Sequence, residues 1–175
     1  MKKRSRGREL ALQLLYQLDL RGPEALAFAD EFFKSEEADR EARSFALKLV
    51  RGTHENIDEL NTVIQSVAQN WDISRMAVID RNVLRLATFE LLHCKDIPPK
   101  VAINEAIELG KRYSTQNSGA FINGILDKVK SRFAEGHEPI GGAAVANGAA
   151  GVDGLEAPLA DEPIVASDDP QTASE

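Results

Sequence analysis

The sequence predicts an all-α fold, a compact bundle of seven short helices, and three observations support this class. Apolar residues recur at intervals of three and four through residues 6–133, as they do on the buried face of a helix. No stretch of five residues alternates cleanly between apolar and polar side chains, which is the pattern of a half-buried strand. Glycine, proline and capping residues interrupt the helical pattern at short intervals, which indicates short connections between packed helices.

The helices can be delimited in chain order from the residues that start or stop them. Gly22 and Pro23 end the first helix, and the fixed φ of proline suits the first turn of the second. Asp39, Asn56 and Ser118 have side chains able to cap the third, fourth and seventh helices. A double proline at 98–99 separates the fifth helix from the sixth. The predicted ranges are, in order, 6–20, 23–33, 39–52, 56–67, 80–91, 101–113 and 118–133.

The composition changes after residue 133, and this change divides the chain into two parts. Residues 1–135 carry the helical pattern and form the predicted folded domain. Residues 136–175 are rich in Gly, Ala, Pro and acids, contain no aromatic residue and no base, and hold 8 of the 28 Asp and Glu. Such a segment buries too little apolar surface to offset the entropy of ordering it, so we predict a disordered acidic tail.

The net charge of −7 conceals a basic chain start. All 21 Lys and Arg lie in residues 1–135, and five of them fall in the first eight residues, where there is no acid. A basic start, a balanced body and an acidic tail suggest a polyanionic partner at the start. Arg4 and Arg8 stand four residues apart and would project together from a helix towards phosphates. A solvated, frayed terminus is the plainer alternative.

Cysteine usage and hydropathy indicate the compartment. The single cysteine, Cys94, excludes an internal disulfide framework and fits a reducing environment as a small apolar side chain. No apolar run approaches the roughly 18 residues needed to cross a bilayer, and no apolar signal segment follows the basic start. We therefore expect a cytoplasmic protein without membrane contact.

The sequence motifs of catalysis and of metal or cofactor binding are missing. Apart from the polar neighbours of a solvated face, none of the three histidines, His54, His93 and His137, has a second metal ligand at helical spacing. The sequence has no serine nucleophile elbow, no phosphate-binding loop and no Cys–His pairing. We expect no metal, no cofactor and no enzymatic activity.

The polar segment 114–124, STQNSGAFING, delivers the chain into the seventh helix. Free N–H groups and the helix dipole favour a phosphate at such a helix N-terminus. Phe121 lies in the first turn, where an exposed ring could stack on a base. Periodicity alone favours the other interpretation, in which Phe121 belongs to the core.

Four segments in order and spacing resemble the NusB family of bacterial transcription antitermination factors. They cover nearly all of residues 4–133, and the tail has no part in the match. The segments are RGRELALQLLY (6–16), DRNVLRLATFEL (80–91), PKVAINEAIELGK (99–111) and FINGILD (121–127).

The resemblance implies seven helices arranged in two small subbundles and a function without catalysis. Proteins of this family pair with NusE, a small-subunit ribosomal protein, and the pair binds the boxA element of nascent RNA. Together with NusA and NusG, that complex keeps RNA polymerase elongating through ribosomal RNA operons. NusB-like proteins occur as monomers and as dimers, and a homodimer could bury the RNA-binding surface.

The resemblance also implies roles for individual residues. It favours an exposed, base-stacking ring at Phe121, and it predicts that the cationic chain start and the opening of the last helix lie side by side. Three positions depart from the family pattern, namely Ser5, Gly110 and Asn117. The implied RNA-binding residues are Arg4, Arg6, Arg8, Asn117, Ser118 and Phe121, and the implied NusE-binding residues are Tyr16, Asp80 and Arg85.

Two alternatives compete with an RNA adaptor. The same helical fold opens certain RNA cytosine methyltransferases, but those need a downstream α/β domain for their cofactor, and this sequence ends in the acidic segment. The second alternative is a helical protein–protein interaction module without sequence-specific RNA binding, whose basic start is incidental.

Overall fold

The structure is a computed structural model that describes residues 2–134. Within this range it contains seven α-helices and no strand, which confirms the predicted all-α class. The predicted disordered acidic tail, residues 136–175, lies outside the residues that the structure describes. None of the described helices is both long enough and apolar enough to span a membrane.

The helices follow one another with short connections. Two 3-10 turns, Pro23–Phe28 and Ile73–Arg75, and a final π-helical turn, Lys130–Ala134, supplement them. The helices are α1 Lys2–Arg21, α2 Ala29–Glu36, α3 Arg40–Glu55, α4 Ile57–Val67, α5 Val78–His93, α6 Pro99–Tyr113 and α7 Ser118–Val129.

Helix α5 is the centre of the bundle. It contacts α1 and α3 on one side and α4, α6 and α7 on the other, and every residue from 82 to 90 is buried. Helices α1, α2 and α3 also pack on one another, and α4, α6 and α7 complete the second group. Because α5 belongs to both groups, its burial on all sides joins two small subbundles into one core.

Three predictions about helix ends are wrong. Helix α1 already begins at Lys2, because the Lys3 ammonium reaches Asp39 (3.2 Å) and Glu41 (2.9 Å) at the start of α3. The predicted 23–33 helix opens as a 3-10 turn after Gly22, whose φ of 95° redirects the chain. Asn56 does not cap α4. Its side-chain amide donates to the Gly52 carbonyl (2.7 Å) and finishes α3 instead, whereas the predicted cap of α3 by Asp39 is confirmed.

Two helical glycines allow close approach between helices. A Cβ on Gly52 would lie 2.0 Å from Cζ of the Phe89 ring, so α3 and α5 can touch here only without a side chain. A Cβ on Gly110 would lie 2.4 Å from Cδ1 of Ile122, where α6 packs on α7. The glycine at 110 therefore has a packing explanation that offsets its lower helix propensity.

Candidate nucleic-acid interface

The first turn of α1 presents the exposed cations of the chain start. The Arg4 side chain is 51% exposed. Its guanidinium lies 3.2 Å from the Asp96 carboxylate and 5.1 Å from the centre of the Phe45 ring. Exposed ion pairs of this kind contribute little stability and exchange readily for another anion. Arg4 can therefore leave Asp96 and bind an RNA phosphate with little loss of protein stability.

Arg6 is more firmly held than Arg4. Its guanidinium donates to Glu9 and Glu37, both at 3.1 Å, and to the Glu36 carbonyl at 3.0 Å. Its side chain retains 32% exposure. Arg6 therefore ties α1 to the end of α2 and still reaches solvent.

Arg8 does not project with Arg4, and this prediction is wrong. The Arg8 side chain is 2% exposed and forms a bidentate pair with Glu90 of α5, at 2.9 Å (Nε–Oε1) and 2.7 Å (Nη2–Oε2). The Phe45 ring covers the guanidinium, 5.3 Å from its centre. A charge this deep needs its partner, so Arg8 joins α1 to α5 beneath the surface.

The connection between α6 and α7 is held in place by hydrogen bonds of the Ser118 side chain. The Ser118 hydroxyl accepts from the Thr115 backbone N–H (3.2 Å) and donates to Oδ2 of buried Asp80 (3.2 Å). Burial raises the pKa of the Asp80 carboxyl, although the nearby Ser114 and Ser118 hydroxyls oppose the shift. Asn117, just before α7, remains exposed, and its side chain makes no capping bond. The predicted cap of α7 by Ser118 is wrong, because Ser118 is the first residue of the helix and its side chain instead holds the connection between α6 and α7 in place.

The exposed ring predicted at Phe121 is wrong. Phe121 is 2% exposed and packs edge-on against Trp71, with ring centres 6.1 Å apart. It lies in the core stripe with Ile122, Ile125 and Leu126, as periodicity alone indicated. The surface aromatic in this neighbourhood is Trp71, which was not among the predicted site residues. The sequence feature that could have indicated an exposed ring is its position between two predicted helices, just before a turn.

The chain start and the opening of α7 do not lie side by side, which corrects a second prediction. Arg4 contacts Asp96, just past the end of α5, whereas Ser118 contacts Asp80 in the first turn of α5. The 16 residues of α5 span about 24 Å at 1.5 Å per residue. The two predicted RNA-binding regions are therefore separated by roughly the length of one helix.

A groove between α1 and α6 runs from Ser5 near the chain start to Arg112 near the end of α6. It has a volume of about 590 Å³. Ser5 crosses it by donating to Glu105 at 2.8 Å, and the Arg112 guanidinium pairs with Glu9 at its far end. Lys111, also at that end, is exposed. Neither of these two cations was predicted, although basic residues in the last turn of a helix were visible in the sequence.

The three residues implied to bind a protein partner are differently placed. Tyr16 lines a small groove of about 150 Å³ with Ile79 and Tyr113. Asp80 is fully buried and Arg85 nearly so, the latter donating to Asn61 at 2.8 Å. Only Tyr16 of the three offers a side chain to the surface.

The described residues contain no group of three or more His, Cys, Asp or Glu side chains that could hold a metal ion. The fold and this surface define a class of protein: a small seven-helix bundle that carries exposed cations and shallow polar grooves on its surface.

The family model described as NusB family matches residues 5–131. A relative from Anaeromyxobacter dehalogenans, "Transcription antitermination protein NusB", is 51% identical over 130 residues, which is 74% of this chain and 91% of the relative. The chain belongs to the NusB family, as its sequence motifs predicted.

Solved structures agree with the family and the fold. The structure of T. maritima NusB is 41% identical, with a TM-score of 0.69 over 75% of this chain and 92% of that one. A crystal structure of the antitermination factors NusB and NusE in complex with double-stranded RNA is 28% identical, with a TM-score of 0.69 over 76% of this chain and 99% of that one.

Proposed function

We propose that this protein is a transcription antitermination factor, a non-catalytic adaptor that holds RNA and a protein partner together in the cytoplasm. The observation that carries the proposal is its close relationship, along nearly the whole helical domain, to proteins named for antitermination. The relative solved with NusE and double-stranded RNA supports both kinds of partner. The RNA ligand proposed here is a single-stranded boxA-type element of nascent ribosomal RNA.

The proposed RNA contacts are the exposed side chains of the candidate interface. Arg4 and Arg6 at the chain start would bind phosphates, and Asn117 would contact the strand before α7. Arg8, Ser118 and Phe121 lie beneath this surface and act by holding α1 and α7 in position. Their proposed role is support rather than contact.

The proposed partner surface is the groove around Tyr16. Two aromatic side chains, Tyr16 and Tyr113, and the apolar Ile79 line it, which suits a protein partner such as NusE. Asp80 and Arg85 would support this region from within. In the proposed complex NusA and NusG join the pair on RNA polymerase, so that transcription continues through ribosomal RNA operons.

The proposal is tested by titrating labelled boxA and scrambled single-stranded RNA with the protein alone and with its NusE complex, over a range of salt concentrations. We expect the NusE complex to prefer boxA, and we expect affinity to fall with salt because phosphate contacts release counterions. Equal affinity for both RNAs would reject the boxA function.

The principal alternative is a helical protein–protein module whose basic start is incidental. That alternative predicts NusE binding without any preference for boxA over scrambled RNA. The same titration distinguishes the two functions, because it compares boxA with scrambled RNA for the NusE complex.

A further inference from the structure

The segment between α4 and α5 carries the only tryptophan of the chain, Trp71, in a groove outside the sites described above. The open groove has a volume of about 600 Å³, and the polar side chains of Gln69, Asn70, Asp72 and Arg75 surround the ring. Trp71 is partly buried, and its indole N–H makes no hydrogen bond to any residue in 2–134. The ring thus has an open side and an unused donor.

The ring is supported from within the bundle. Phe121 of α7 meets Trp71 nearly perpendicularly, at an interplanar angle of 86°, and is itself enclosed in the core. Val67 and Ile125 line the narrow crevice between the two rings and the core. Phe121 therefore serves as a rigid base that presents Trp71 to the groove.

The backbone around the ring is also fixed. The Gln65 side-chain amide donates to the carbonyls of Ala68 (3.2 Å) and Trp71 (2.8 Å), and its oxygen accepts from the Ile73 N–H (3.0 Å). Asp72 accepts from the backbone N–H and the hydroxyl of Ser74 (2.9 and 2.7 Å). A side chain on such a braced segment can bind a ligand with little loss of conformational entropy.

The groups around Trp71 fit a nucleic acid strand. Arg75 lines the open groove, and its guanidinium makes no hydrogen bond or ion pair within the described residues, although the Asp72 carboxylate attracts it. Lys128, at the end of α7, lines the crevice on the other side of the ring. An aromatic face between two cations, with amides beside it, combines base stacking with phosphate attraction. A protein partner would instead favour a broad apolar centre, whereas Trp71 is the one apolar side chain that lines this groove.

We propose that Trp71 is a base-stacking platform for single-stranded RNA, with Arg75 and Lys128 binding the adjacent phosphates. Single strands are specified because a base must leave its helical stack before it can lie on an aromatic ring. The inference rests on the proposed RNA-binding function and adds a contact point to it. It also moves the stacking role from Phe121, which the fold buries, to the ring that Phe121 supports.

The single tryptophan makes the test direct. The full-length protein is titrated with single-stranded boxA-type RNA while the Trp71 emission and the anisotropy of labelled RNA are followed together. Stacking should quench the emission with the same midpoint as the anisotropy change. Trp71→Ala should weaken RNA binding about tenfold, as removal of one stacking ring does. Trp71→Phe, which keeps an aromatic ring on Phe121, should fold normally and bind with intermediate affinity.

Phe28→Ala is the matched control, because Phe28 is an aromatic residue that is 65% exposed and lies outside this groove. It should leave RNA affinity unchanged. If RNA binds with unchanged Trp71 emission, and Trp71→Phe and Trp71→Ala bind like the wild type, the platform is wrong while the proposed function stands. If NusE alone quenches Trp71 and RNA does not, the groove is a protein site and the inference is overturned. If no RNA binds at all, the proposed function fails as well.

Discussion

Arg8 and Glu90 are 82 positions apart in the sequence and form a bidentate ion pair in the middle of the bundle. The pair joins α1 to α5, and Glu105 of α6 lies 3.9 Å from the Arg8 guanidinium. Both paired side chains are almost completely buried, so neither charge can be solvated if the other is removed. The arrangement converts an arginine of the basic chain start into a structural element.

This pair predicts a strong asymmetry between single and double substitutions. Arg8→Met should lower the free energy of unfolding by about 3–5 kcal/mol, because it leaves the Glu90 carboxylate buried without a partner. Combining it with Glu90→Leu should recover most of that stability, since apolar side chains of similar size can replace a buried ion pair. Urea denaturation of the two single variants and the double variant measures both effects.

The same double variant separates structure from RNA contact. If Arg8 acts only as a support, Arg8→Met with Glu90→Leu should bind boxA-type RNA as the wild type does. A folded double variant with strongly reduced RNA affinity would show that the Arg8 guanidinium leaves the core to meet RNA.

Phe121→Ala should act on stability. Removing a buried phenylalanine leaves a cavity and should cost about 3–5 kcal/mol, with Phe121→Leu costing clearly less. The exposed Phe28 provides the comparison, since its truncation should change stability by less than about 0.5 kcal/mol. Thermal melting of the three variants tests this order. If Phe121→Ala were as stable as Phe28→Ala, the burial of Phe121 would be contradicted.

Gly52→Ala should destabilise the protein although alanine is the better helix former. Propensity favours alanine by about 1 kcal/mol in a helix interior. The new Cβ would collide with the rigid Phe89 ring, and overpacking of this kind costs about 1–3 kcal/mol. Adding Phe89→Leu should relieve the collision, so that the second substitution costs less in the Gly52→Ala background than alone. Denaturation midpoints of the four proteins form a double-mutant cycle.

Much of the fold could be predicted because it depends on local patterns. Helical periodicity located all seven helices of residues 2–134, and Asp39 was recognised as a cap from its side chain alone. The failures are those that need a distant partner. The start of α1 at Lys2 depends on carboxylates of α3, and Asn56 caps the helix before it because the Gly52 carbonyl lies within reach.

The candidate site was less predictable for the same reason. Nothing near Arg8 in the sequence indicates that Glu90 lies opposite it in the fold. The pattern therefore predicted that all the cations of the basic chain start are exposed. Phe121 shows the opposite case, in which periodicity indicated the core and the family resemblance favoured the surface. The proposed role of Trp71 could not be predicted from the sequence, because it depends on the packing of α7 against the segment after α4.

Asp80 predicts a specific pH dependence of stability. Its pKa is raised by burial above the ordinary 3.8, so the folded state binds this proton more tightly than the unfolded state. Stability from this group is therefore fully present below pH 3.8 and is lost as the pH rises through the raised pKa. Asp80→Asn, which can still accept from Ser118, should be more stable than the wild type at neutral pH. The difference should vanish towards pH 3.8.

Chemical denaturation at several pH values from acid to neutral would measure this difference, because the linked proton changes stability between the unfolded and the raised folded pKa. Asp72→Asn is the control. Its carboxylate is exposed, and hydrogen bonds from Ser74 lower its pKa, so its substitution should change the pH dependence in the opposite direction. Parallel pH profiles for wild type and Asp80→Asn would contradict the assignment.

Arg4 should govern the electrostatic part of RNA binding. Arg4→Glu replaces an exposed cation at the chain start with an anion, and it should weaken binding to boxA and scrambled RNA alike. Arg4 forms an exposed pair with Asp96 and lies over the Phe45 ring, and both are surface contacts of small energy, so the fold should be retained. The slope of log affinity against log salt should become shallower by about 0.7 for each phosphate of a single strand that the variant no longer neutralises.

Arg21→Glu makes the same charge change at the other end of α1, about 25 Å away by helical rise. Since α1 presents its first turn to the proposed RNA surface, Arg21→Glu should leave the salt slope close to that of the wild type. Equal reductions in affinity from both substitutions would mean that RNA responds to total charge alone, and the first turn of α1 would then have no special place in binding. Anisotropy titrations at several salt concentrations distinguish a local contact from that general attraction.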